Sequence, residues 1–118
     1  MANELSINFS QFKFEKNGSS VNRSFGNLLR DVAGKVHVHT FQTIGTAAEE
    51  VLGKGEITTV GYVAVRNADA TNFVEVGTTG KLAAKLKAGD IAVFRANGDV
   101  YAKANVANVD VEFILIED

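Results

Sequence analysis

Gly61-Tyr-Val-Ala-Val-Arg-Asn-Ala-Asp-Ala-Thr-Asn-Phe-Val-Glu-Val-Gly77, followed by Leu86-Lys-Ala-Gly-Asp-Ile-Ala-Val-Phe-Arg95, carries the reading of the fold. Two runs that alternate apolar and polar residues flank Asn67-Ala-Asp-Ala70, and a third such run follows Ala88-Gly89. Period-two alternation marks a strand with one covered face, and short Asn/Asp/Gly clusters mark turns. The stretch therefore predicts successive antiparallel strands. It contains nothing that reads as reaction chemistry.

The same pattern extends outward. Ile57 to Asn67, Thr71 to Val76, Leu82 to Leu86, Ile91 to Arg95, Val100 to Ala104 and Val109 to Glu117 each fit a strand. Turns fall at Thr78-Thr-Gly80, Ala88-Gly-Asp90 and Asn97-Gly-Asp99. Val109, Val111, Phe113 and Leu115 make one face of the last strand, while Ile114 and Ile116 make the other apolar as well, which predicts a strand covered on both sides. Upstream, Val36, Val38 and Thr40 alternate with His37, His39 and Phe41 in a strand that ends at Ile44-Gly45.

Leu5, Ile7 and Phe9 share one parity and Phe12 and Phe14 the other, so a bend is expected near Ser10-Gln11. Asn17-Gly18 suits a tight hairpin turn, with Val21 to Phe25 returning alongside the first strand. Leu28 to Gly34 reads as a strand between two glycines. Thr46 to Gly53 is the one helix candidate, with Thr46 as cap, Glu49 three residues on and Gly53 as terminator.

These readings predict an all-β fold: a single-domain antiparallel β-sandwich or barrel, jelly-roll-like, of about eight strands. At most one short helix is expected, near 46–52. One domain is expected over residues 1–118, with 1–9 as an arm that contacts neighbours.

Composition narrows the function classes. Twelve basic residues stand against 14 acidic ones with no basic run, which gives no electrostatic footprint for nucleic acid. No apolar run approaches the ~20 residues of a membrane helix. Met1-Ala-Asn-Glu-Leu lacks the order of a signal peptide, so synthesis in a cytoplasm is expected and the Asn8, Asn17 and Asn22 sequons carry little weight. With no cysteine, disulfides and thiolate sites are excluded; with no proline, one common guard of open sheet edges is missing.

His37-Val-His39 is the one pair a metal could use, since residues two apart on a strand share a face. No third histidine exists and the next carboxylate is Glu49, beyond Gly45, so neither a metal nor a cofactor is expected. Glu49 and Glu50 would diverge on a helix, and Asp110 and Glu112 share a strand face that reads as salt-bridged or solvated. Gly77-Thr-Thr-Gly80 joins two strands and cannot present helix N-terminal amides to a phosphate. Arg66 and Arg95 end two central strands, where exposed cation and intermolecular salt bridge are both open readings. No nucleophile with a base assembles by spacing, and no enzyme is expected.

Three landmarks, Gly61 to Gly77, Leu86 to Arg95 and the closing Val111-Glu-Phe-Ile-Leu-Ile-Glu-Asp118, resemble small uncharacterised virion structural proteins of tailed bacteriophages. The Met1-Ala-Asn-Glu-Leu opening and the segment from Gln42 to Glu50 fit as well. The resemblance implies a capsid cement or decoration protein on the virion surface, made in the host cytoplasm. Its expected partners are other copies of itself, as a homotrimer, and the phage major capsid protein, with no nucleic acid and no membrane. The interface residues expected on this reading are Leu5, Ile7, Phe9, Arg66, Arg95, Ile114 and Ile116. A tail or head-fibre adaptor or host-surface binder is the alternative, and a carbohydrate- or metal-binding β-domain a remote one.

Overall fold

A computed structural model describes residues 3–118, so Met1 and Ala2 of the expected arm lie outside the described residues. The chain divides into two compact units, the first ending at Ala33 and the second running from Gly34 to Asp118.

The first unit is built from two antiparallel ribbons. Strand β1 (Leu5–Phe9) pairs with β4 (Gly26–Arg30), and β2 (Phe12–Lys16) pairs with β3 (Ser19–Arg23). The chain breaks pairing at Ser10 and Gln11, where the parity of the aromatics changes. Asn17 and Gly18 both take positive φ, 48° and 83°, which is the backbone a two-residue hairpin turn needs. The strand that returns from this turn lies beside β2, with Phe14 opposite Val21 and Phe12 opposite Arg23. The ends of the β1/β4 ribbon are tied by the Asn3 N–H to Asp31 and the Val32 N–H to Glu4, both at 2.9 Å.

The second unit holds the core. Strands β5 (His37–Ile44), β7 (Val60–Asn67), β10 (Ile91–Arg95) and β12 (Val109–Glu117) form one sheet in the order β10-β7-β12-β5. Strands β6 (Glu50–Val51), β8 (Val74–Thr78), β9 (Lys81–Leu86) and β11 (Tyr101–Ala104) form the other, in the order β6-β11-β8-β9. Counted from β5, these orders are 6-3-8-1 and 2-7-4-5, the double-sheet arrangement of a jelly roll. The expected all-β sandwich is present, with eight strands in this unit and four more in the ribbons.

Alternation explains how the layers close. Val63 and Val65 of β7, and Val109, Val111, Phe113 and Leu115 of β12, point inward to meet Val74, Val76, Leu86, Ala102 and Ala104 of the facing sheet. At roughly 25 cal/mol for each Å² of apolar surface removed from water, such contacts are the main favourable term holding the unit together. Gly77 lies where β8 and β9 slip register; a Cβ there would run into the Lys81 carbonyl and the Leu82 Cα.

Two local expectations are corrected. The runs on either side of Asn67 to Ala70 do not pair with each other, because β7 and β8 belong to opposite sheets. The crossing is held by Asn67, a fully buried side chain whose Nδ2 donates to the carbonyls of Asn72 (2.9 Å) and Leu86 (2.8 Å) while its Oδ1 accepts from the Asp69 N–H. Residues 46–53 contain no helix. Glu50 accepts from the Gly45 N–H, Glu49 reaches across to Thr79 and Gly80, and Leu52 is buried with its N–H on the Val100 carbonyl, 2.8 Å away. A helix of under two turns contributes too little to compete with these tertiary bonds.

Candidate interaction surface

The sequence places two kinds of side chain on the outside of the sandwich. On the β6-β11-β8-β9 sheet, cross-strand neighbours Lys103, Glu75 and Lys85 form a row of alternating charge, and Lys85 lies over the Phe73 ring at 4.2 Å. That surface is dressed for water.

The outer face of the β10-β7-β12-β5 sheet is different. Register places Val93, Ala64, Ile114 and His39 in one row across its four strands, and Ile91, Arg66, Glu112 and Phe41 in the next. Phe41 is 59% and Ile91 65% exposed, while Val93, Ala64, Ile114 and Ile116 are half-buried. The second apolar face of β12 read from the sequence is thus real, and it opens outward. A shallow depression on this face is lined by Ala64, Ile91, Ile114 and the Arg66 and Glu112 side chains.

The charges on this face are satisfied within the chain. Arg66 donates to Glu112 Oε1 from Nε (3.1 Å) and Nη2 (2.9 Å), and His39 Nε2 lies 2.8 Å from Glu112 Oε2. The hydrogen bond with His39, then the bond and charge of Arg66, hold the Glu112 carboxyl below its usual range. Arg95 donates to Asp118 at 2.7 Å and lies 5.4 Å from the Tyr62 ring. Asp69, beside the buried Asn67, is also lowered, because the N–H groups of Asn72 and Thr71 both donate to its carboxylate.

His37 and His39 stand on this outer face, opposite Ile116 and Ile114, and not in the space between the sheets. Among the described residues no group of three or more His, Asp or Glu side chains is placed to hold a metal ion. Leu5, Ile7 and Phe9 form the half-buried side of β1, opposite Arg30, Leu28 and Gly26 of β4. The expected interface residues therefore fall on both units, with Arg66, Arg95, Ile114 and Ile116 gathered on one sheet face.

Sequence reasoning named β1 as a contact surface but passed over the β2/β3 ribbon. No described residue up to Ala33 is buried; Phe12 is 61%, Phe14 50% and Phe25 67% exposed. Phe12, Phe14 and Val21 lie on one side of the β2/β3 ribbon together with Arg23, and the opposite side carries Lys13, Glu15, Ser20 and Asn22. The parity change at Ser10-Gln11 was the available signal: it separates two short ribbons, and a two-stranded ribbon has no second layer in which to bury its aromatics.

The chain matches no protein-family model, and neither the curated proteins nor the solved structures contain a match to it.

Proposed function

We propose that this chain is a non-enzymatic structural protein of a bacteriophage virion, a capsid cement or decoration protein that stabilises the shell by bridging major capsid subunits. The observation that carries the reading is the amount of apolar surface left uncovered: the ribbon aromatics, and the sheet face of Phe41, Ile91, Val93 and Ile114. Large exposed apolar patches mark surfaces that meet a partner. The resemblance of the three landmark segments to phage virion proteins supplies the kind of partner. A jelly roll is used in viral shells and also in lectins and cupins, so the fold is compatible with the reading without selecting it.

The mechanism is mass action. A protein that binds the assembled shell and not its separated subunits stabilises the shell in proportion to the logarithm of its concentration over its Kd. Particles lacking the protein are the test system. Adding the purified chain is expected to raise the temperature of genome release and to load hundreds of copies per particle. Unchanged release overturns the reading, and saturation at roughly three to twelve copies points to a symmetry-matched appendage instead.

A further inference from the structure

The four edges of the sandwich are not equally guarded. Strand β6 is only two residues long, β9 presents Lys81 and Lys85, and the five-residue β10 ends in the charged Arg95. Short length and cationic side chains are the usual means by which sheet edges avoid foreign strands. Strand β5, His-Val-His-Thr-Phe-Gln-Thr-Ile over His37–Ile44, is eight residues long and has no lysine, arginine, proline or register shift against β12.

The hydrogen-bond parity of β5 shows which groups are open. The Val36 carbonyl accepts from Glu117 of the β12 segment at 3.0 Å. By alternation Val38, Thr40, Gln42 and Ile44 also face β12, so His37, His39, Phe41 and Thr43 turn their N–H and C=O groups away from the sheet. Gly45, next in that series, already accepts from the Ala104 N–H, which closes the edge at its end and leaves these four residues open.

We propose that this edge is a self-association site, at which β5 pairs antiparallel with β5 of a second copy of the chain about a two-fold axis through Thr40. Only this centre uses all four open residues: His37 meets Thr43 of the second copy and His39 meets Phe41, each in both directions. Centres at His39 or Phe41 would oppose two identical imidazoles or rings and leave open groups unmatched. With the axis at Thr40 no like charges are opposed, Thr40 faces its own copy as a favourable cross-strand pair, and the exposed Phe41 is covered. Thr40 is itself exposed, as are His37, His39, Phe41 and Thr43. The two four-stranded sheets become one continuous sheet. The contact is isologous and closes at two copies, in place of the threefold association implied by the resemblance. It does not depend on the virion reading.

The full chain provides the test. Sedimentation equilibrium should give twice the 12.6 kDa of one chain. Phe41→Pro removes an N–H that no strand of the same copy uses, and Phe41→Lys places a guard charge on the edge; both should give folded monomers with far-ultraviolet spectra like the parent's. Because the chain has no cysteine, Thr40→Cys introduces a single thiol on the axis. A non-hydrogen-bonded antiparallel pair brings Cα atoms to about 4.5 Å, within disulfide range, so mild oxidation should cross-link Thr40→Cys fully and Gln42→Cys hardly at all. A parent that is monomeric or trimeric overturns the proposal. So does a dimer that survives Phe41→Lys, or one in which Thr40→Cys fails to cross-link.

Discussion

The ribbons and the sandwich are built from the same kinds of residue and end in opposite states. Phe12, Phe14 and Val21 of β2 and β3 are as apolar as Val65, Val111 and Phe113, yet the first three are half or more exposed and the second three are almost fully buried. The difference is topological. In the sandwich each inward row meets a second sheet, whereas each ribbon is a two-strand sheet in which every strand has a single partner. Alternation in a sequence thus specifies which side chains share a face, and the number of layers decides whether that face is dry. Where a face finds no layer in its own chain, its apolar residues contribute to association more than to folding.

Substitutions on the two sides should separate these roles. Phe113→Ala opens a cavity at a fully buried site and should cost about 3–5 kcal/mol of unfolding free energy, measured by denaturant melts. The combined Phe12→Ser and Phe14→Ser change removes more aromatic surface but should cost only about 1 kcal/mol or less in the same melts, since these rings lose little burial. On the virion reading that double variant should bind particles markedly less well. Equal losses of stability in the two variants would mean that the ribbons share the core's role, and the contrast between the regions would fail.

Much of this was legible from period and turn residues. The sequence boundaries of β10 and β12 match the observed strands, Asn17-Gly18 forms the hairpin turn, and Ile114 and Ile116 occupy the outer apolar face. Three features were not legible, for physical reasons. The crossing from β7 to β8 in the opposite sheet is bridged by Asn67, whose side chain reads as a turn former until its carbonyl partners, Asn72 and Leu86, are brought around it. The segment around Thr46 carries helix capping signals, but its glutamates find backbone N–H groups that are distant or unpaired in sequence, and tertiary bonds override a weak local preference. The cluster of Arg66, Glu112 and His39 joins three strands from far apart in the chain, so only register could reveal it.

That cluster gives the smallest expected effect and the sharpest one in pH. The bonds from His39 and Arg66 hold the Glu112 carboxyl below its usual range, so the folded chain binds its proton less readily than the unfolded chain does. The resulting stability is fully present above the ordinary glutamate range and is lost as pH falls through the depressed folded value. Glu112→Gln lacks this contribution. Its melting temperature should lie slightly below the parent's at neutral pH, and the gap should close on acidification below the ordinary carboxylate range. The size is modest because Arg66 and His39 are both solvent-accessible and the pair is screened. A gap that stays constant, or widens, as the solution is acidified would show that the triad orders the sheet face by shape alone. The apolar row of Val93, Ala64 and Ile114 beside Glu112 would then owe its alignment to backbone register and not to the neighbouring charges.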